Sequence, residues 1–192
     1  LIVEQLDTSI GTVEDVESHV ELPILGVIPF SPVEEKKRFI FPFYPRQNDK
    51  LSVTKSRLII WPSMQSSIIE AYRMLDTNLW SSFEEKTSPK IIVITSTAPG
   101  EGKTVICANL AIAMAQRGVR VLLVDADLRR PILFRLFGLK REPGLSEILS
   151  NTHKLKDVLR GFTDLFLGLK QQEPFLKAPG LNNLQFITPG RL

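Results

Sequence analysis

The stretch Ser96-Thr-Ala-Pro-Gly-Glu-Gly-Lys-Thr104 brings two glycines, a lysine and a hydroxyl together directly after an apolar run. That combination suits a polyphosphate. Glycines at 100 and 102 let the main chain approach such a ligand, and backbone N–H groups of the turn and the next helix start converge on its oxygens. The expected phosphate-binding stretch is Ala98, Pro99, Gly100, Glu101, Gly102, Lys103, Thr104 and Val105. Lys103 is expected to reach the β- and γ-phosphates of a nucleoside triphosphate, and the Thr104 hydroxyl to ligate Mg2+. The general form of this loop has glycine where Thr97 stands, so the match departs there.

A second constellation follows in Val121-Leu-Leu-Val-Asp-Ala-Asp-Leu-Arg-Arg-Pro131. Asp125 and Asp127 stand two apart where a strand exits, the edge at which open α/β sheets bind ligands. Both are expected to serve the metal and its waters. Asp125 either activates an acceptor hydroxyl or holds the magnesium water shell, and spacing does not separate the two jobs. The chain has no Asn-Lys-x-Asp guanine-reading motif, which is part of the case for ATP over GTP.

These groups need elements to position them. Ile91-Ile-Val-Ile-Thr95 is a continuous β-branched run, expected of a strand buried on both faces of a parallel sheet. A helix over Thr104 to Arg117 follows, ended by Gly118, and Val119 to Asp125 reads as a second buried strand. Strand, helix and strand predict a right-handed βαβ unit in a doubly wound, mostly parallel α/β sheet of the P-loop type. Upstream, Ser66 to Phe83 predicts a helix with Ile68, Ile69, Tyr72, Leu75, Leu79 and Phe83 on one stripe, Glu70 and Arg73 standing off it. Thr12 to Val20 reads as a short helix capped by Thr12, and the proline-bracketed run Leu22 to Pro29 as a short strand. Lys36 to Arg46 mixes basic and aromatic side chains that suit an anionic membrane surface, although Pro42 and Pro45 favour a loop. The division expected is an N-terminal segment, 1–62, and a nucleotide-binding domain, 63–192.

Composition narrows the rest. The 192 residues, 43% hydrophobic and 23% charged, can bury a substantial core. The net charge of +3 comes from 24 basic and 21 acidic side chains spread along the chain, so no stripe for nucleic acid is expected. Cys107, the single cysteine, cannot form an internal disulfide and reads as a small core residue. No apolar run approaches the roughly 20 residues that span a bilayer.

Ser96, Pro99 to Thr104, and Asp125-Ala-Asp127-Leu-Arg129 resemble the Walker A and Walker A-prime motifs of bacterial tyrosine kinases. The likeness extends to Leu6-Asp-Thr-Ser-Ile10, Glu14-Asp-Val-Glu17 and Leu22-Pro-Ile-Leu-Gly26, similar to the segment after the last transmembrane helix in membrane-integrated members. Glu70 and Arg73 match the first two positions of that family's Glu-x-x-Arg-x-x-Arg helix, which contacts a neighbouring subunit in a ring; Asp76 occupies the third. The resemblance implies an ATP- and Mg2+-dependent protein-tyrosine kinase regulating exopolysaccharide assembly, with Lys103, Asp125 and Asp127 catalytic and Thr104, Asp125 and Asp127 at the metal. It also implies self-association, a polysaccharide-export membrane protein or the chain's own transmembrane region as partner, and a cytoplasmic place at the inner face of the membrane. The family's Walker B strand, ending Asp-x-Pro-Pro, and its tyrosine cluster do not occur, so the domain is expected to be cut short before that strand. Two other readings are a partitioning-type ATPase, whose signature lysine falls where this chain has Ala98, and a non-catalytic module whose docking is controlled by nucleotide.

Overall fold

The computed structural model describes residues 12–20, 22–29, 58–60, 64–84, 89–161, 163–165 and 178–191. The segment 36–46 lies outside the described residues.

Helix α1, Val13–Val20, begins as its sequence dictates. The Thr12 hydroxyl accepts the Asp15 N–H at 3.2 Å, and the Asp15 carboxylate accepts the Thr12 N–H at 3.0 Å, so each satisfies the other's orphan donor. The expected strand at 22–29 is not formed. This stretch has no ladder partner among the described residues, and Leu22 and Val27 are exposed. It lies instead against helix α2, Ser66–Ser81, where the Asn78 amide donates to the Leu25 carbonyl at 2.8 Å. Proline at either end removes donors that a strand would offer a neighbour.

Ile68, Tyr72 and Asp76 form the buried face of α2, which packs on helix α3, Lys103–Gln116. Asp76, the residue that departs from the three-position pattern, is thus buried while Glu70 and Arg73 are exposed. Spaced i, i+4 and i+8, it follows Ile68 and Tyr72 into the interior. The Arg117 guanidinium meets it just past the end of α3, with Nε 2.7 Å from Oδ2 and Nη2 3.0 Å from Oδ1. Arg117 also lies 5.4 Å from the centre of the Trp80 ring.

Burial pushes the Asp76 carboxyl above its ordinary pKa, and Arg117 only partly opposes that. A carboxyl with a raised folded pKa binds its proton more readily in the folded state. Its contribution is therefore most favourable in acid and declines as pH rises through the folded pKa. Arg117→Ala enlarges the upward shift by leaving a buried charge unpaired. Arg117 is half exposed and water screens part of the attraction, so the expected loss is about 2 kcal/mol near neutral pH. The loss should shrink in acid, where Asp76 takes up a proton. Urea denaturation near pH 7 and pH 4 checks this, and an equal loss at both would show that Asp76 is not the group responsible.

Helix α3 is apolar all round and its residues Ala108 to Ala115 are buried, as expected of a helix enclosed by its neighbours. Asn109 is the polar exception, and its side-chain oxygen accepts the Ile59 N–H at 2.9 Å, tying buried residues 58–60 to this helix. Gly118, with φ of 94°, ends the helix as expected. Strand β1, Val121–Val124, runs parallel to β3, Leu184–Ile187, pairing Val121 with Leu184 and Val124 with Ile187. The short β2, Leu159–Arg160, pairs antiparallel on the far side of β3, giving the order β1-β3-β2. Phe137 and Phe186, both fully buried, pack with ring centres 4.6 Å apart and planes inclined at 54°.

Ile91–Thr95 departs from expectation. It carries no strand pairing, and Ile91 and Val93 are 93% and 83% exposed. β-branched residues favour a pleated surface only when cross-strand neighbours cover them, and among the described residues none pairs here.

Candidate nucleotide-binding site

Gly100 and Gly102 adopt φ of 92° and 96°, the left-handed region that costs other residues roughly 1–2 kcal/mol. Neither has another group within 4 Å of an added Cβ, so the demand for glycine at both is conformational rather than steric. Glu101 closes the loop. One carboxylate oxygen accepts the Thr97 hydroxyl at 2.8 Å and the other accepts the Ala98 N–H at 3.0 Å, which holds the Glu101 pKa below the usual range. The Ser96 hydroxyl donates to the Ala98 carbonyl at 3.0 Å. Thr97, where the general motif has glycine, is thereby part of the loop's own bonding.

Gly102 caps α3, so Lys103, Thr104 and Val105 form its first turn, where N–H groups and the helix dipole favour an anion. The Lys103 ammonium lies 3.6 Å from Asp127 Oδ2, each side chain about one-third exposed. The two separate motifs therefore meet.

The aspartates differ sharply. Asp125 continues the β1 ladder, its N–H donating to the Ile187 carbonyl at 2.9 Å, and is only 6% exposed. Its Oδ1 accepts the Asp127 N–H at 3.2 Å and its Oδ2 the Leu133 N–H at 3.3 Å, yet burial still raises its pKa. Asp127 is more open, and the Arg130 N–H at 3.0 Å, followed by Lys103, lowers its pKa. Asp125 is placed to organise the turn while Asp127 faces the lysine. Cys107, on α3, is half-buried, with its thiol pushed up by burial and then by Asp125. The Thr104 hydroxyl and these carboxylates are hard oxygen donors, a set that fits Mg2+ shared with phosphate oxygens and water.

Residues 92–177 match the family described as the CobQ/CobB/MinD/ParA nucleotide binding domain. Over 167 residues the chain is 32% identical to tyrosine-protein kinase Ptk of Acinetobacter johnsonii, covering 83% of this chain and 20% of Ptk. The solved BceF tyrosine kinase domain superposes with a TM-score of 0.65 at 30% identity, covering 95% of this chain and 63% of that one. The kinase domain of Escherichia coli tyrosine kinase Etk gives 0.63 at 28% identity, covering 94% and 59%. Over most of its length the chain is thus similar to the kinase domains of bacterial tyrosine kinases. It spans a fifth of the length of Ptk and about three fifths of the two solved domains.

Glu70 and Arg73 lie on the exposed side of α2 with their charged groups 3.4 Å apart. Sequence reasoning missed the tie from Asp125 to Leu133. Leu133 begins helix α4, Leu133–Leu136, a single turn too short for periodicity to reveal. The arginines that follow Asp127 were read only as part of its motif, although four arginines within 129–141 of the sequence are a signal of concentrated charge.

Proposed function

We propose that this chain forms the nucleotide-binding part of an ATP-dependent protein-tyrosine kinase that regulates exopolysaccharide assembly and export. The approach of Lys103 to Asp127 carries the reading, because it joins a phosphate-binding cation to a carboxylate at the edge of the sheet. Lys103 offsets negative charge on the transferred phosphoryl group, and the first turn of α3 donates N–H groups to the same oxygens. A bound Mg2+ would supply positive charge to offset that of the terminal phosphates. Thr104 and Asp127 would hold it. Asp125, its oxygens engaged with backbone donors, orients Asp127; its raised pKa also suits it to receive a tyrosine proton. Phosphotyrosine formation by the full-length protein with Mg-ATP tests the proposal. Phosphate release without tyrosine modification would instead assign water as the acceptor and overturn it.

The proposal extends to the sheet. Beyond the exposed Ile91 and Val93, β1 leaves Leu122 and Val124 46% and 38% exposed. Leu122 and Val124 share one face of β1, and exposed apolar faces of this kind are covered in stable sheets. A further strand bringing an Asp-x-Pro-Pro carboxylate, supplied by a longer chain, is the occupant the kinase reading requires.

Self-association and a place at the inner face of the membrane, beside an export protein or the chain's own transmembrane region, belong to the same proposal. No helix among the described residues is long and apolar enough to cross a membrane. Glu70 and Arg73 are each more than 60% exposed, so their ion pair adds only about 0.2–0.5 kcal/mol to the chain itself. Glu70→Ala with Arg73→Ala should therefore weaken self-association while leaving the melting temperature near its parent value. Sedimentation at several concentrations checks this, and unchanged association would remove the pair from the contact.

A further inference from the structure

A cavity of about 280 Å3 lies beside the exit of β1. Among the described residues Arg129, Arg130, Arg135 and Arg141 line it, together with Phe134 and Ile132, and no acidic residue does. None of the four guanidinium groups forms an ion pair with a described residue. Arg135 sits over the Phe134 ring, 5.3 Å from its centre. Arg141 is anchored by Nε, which donates to the Gly190 carbonyl at 2.9 Å, and its Nη2 is buried without a partner among the described residues.

Uncompensated cations around one cavity repel each other, and a buried guanidinium donor without an acceptor is costly. A doubly charged oxyanion relieves both. Planar guanidinium forks match the oxygens of a phosphate, and the neighbouring apolar wall accepts a ring. We propose that this cavity binds the side chain of a phosphotyrosyl segment, its phosphate on the arginines and its ring against Phe134 and Ile132. The oxyanion is argued from the cavity alone, whereas the aryl carrier rests on the tyrosine-kinase reading above.

The cavity is tied to the nucleotide site through backbone bonds. Asp127 accepts the Arg130 N–H at 3.0 Å and Asp125 accepts the Leu133 N–H at 3.3 Å, so the stretch carrying Arg129, Arg130 and Ile132 is fixed at both ends by the aspartates. A tyrosine phosphorylated next to those carboxylates emerges beside a site that retains it. The segment it belongs to can come from a second copy of the chain or from another protein.

Fluorescence anisotropy with a labelled phosphotyrosyl peptide tests the site, with phosphoseryl and unphosphorylated versions of the same peptide and inorganic phosphate as competitors. The phosphotyrosyl peptide is expected to bind about tenfold tighter than the phosphoseryl one, and the unphosphorylated one not at all. Arg130→Gln with Arg135→Gln, both exposed side chains, is expected to weaken it by about tenfold or more without unfolding the chain. Equal affinity for phosphotyrosyl and phosphoseryl peptides overturns the aryl assignment. Loss of peptide binding in Lys103→Met, or none in the double arginine variant, overturns the cavity itself. Phosphotyrosyl binding without tyrosine phosphorylation by the full-length protein would sink the kinase reading alone; phosphorylation without binding would sink the cavity alone. Peptides drawn from this chain's full-length sequence and from other proteins, compared side by side, distinguish the two sources.

Discussion

Lys103→Met is expected to lower Mg-ATP affinity by about two orders of magnitude, the loss of one or two charge-assisted contacts to the terminal phosphates. The fold should persist. Lys103 opens α3 with its ammonium at the surface, paired to an Asp127 that is itself one-third exposed, and such a pair contributes at most about 1 kcal/mol to stability. Methionine keeps the length and apolar stem of the side chain, so what disappears is charge rather than packing. Calorimetric titration of parent and variant measures the affinity, and thermal melting checks the fold. Unchanged affinity would remove Lys103 from the site, whereas loss of folding would mean that the loop supports the core in a way its exposure does not suggest.

A larger effect is expected from chain length. Extended through a strand ending Asp-x-Pro-Pro and a tyrosine-bearing tail, the protein should gain Mg-ATP affinity, a higher melting temperature and measurable phosphotyrosine formation together. The 192 residues alone should transfer phosphate at a negligible rate. Phosphoryl transfer is catalysed by positioning and charge stabilisation, so a site without one of its carboxylates or an ordered acceptor would not merely be slower in proportion. The same strand would cover Ile91 and Val93, and moving such side chains out of water stabilises by roughly 1.5–3 kcal/mol each. Affinity, melting and phosphotyrosine measured on both lengths form the comparison. Equal activity in the two would falsify the idea of a missing strand and require another carboxylate to serve the metal.

Helices whose apolar pattern faces a neighbour were legible to within a residue or two. The helix read over Thr104 to Arg117 is Lys103–Gln116, that over Thr12 to Val20 is Val13–Val20, and Ser66 to Phe83 is Ser66–Ser81. A helix satisfies its own backbone, so its local sequence nearly suffices. The run Ile91–Thr95 has an equally strong pattern but needs partners from elsewhere, and its β propensity has no effect without them. Asp76 shows the opposite failure. From the sequence it reads only as the third residue of a helix pattern, while the arginine that lets it be buried lies 41 residues away. In the candidate site, residue types identified the loop and the two aspartates. They did not reveal that Asp125 is enclosed and Asp127 open, because burial depends on where β3 and α4 fall.

Glu101 gives nucleotide recognition a different character from the filling of an empty socket. The Ala98 N–H already holds a Glu101 oxygen, and the Lys103 ammonium already faces Asp127. A triphosphate therefore arrives as a competitor, exchanging one set of anions for another. Glu101, with its lowered pKa, remains charged at neutral pH, so the resident carboxylate does not withdraw by taking up a proton. Net affinity is the difference between the two sets of bonds. Singly charged oxyanions such as acetate offer these donors no more than the carboxylates they already have, whereas a polyphosphate can engage several at once. The loop thus discriminates by ligand valence before any base or sugar is read.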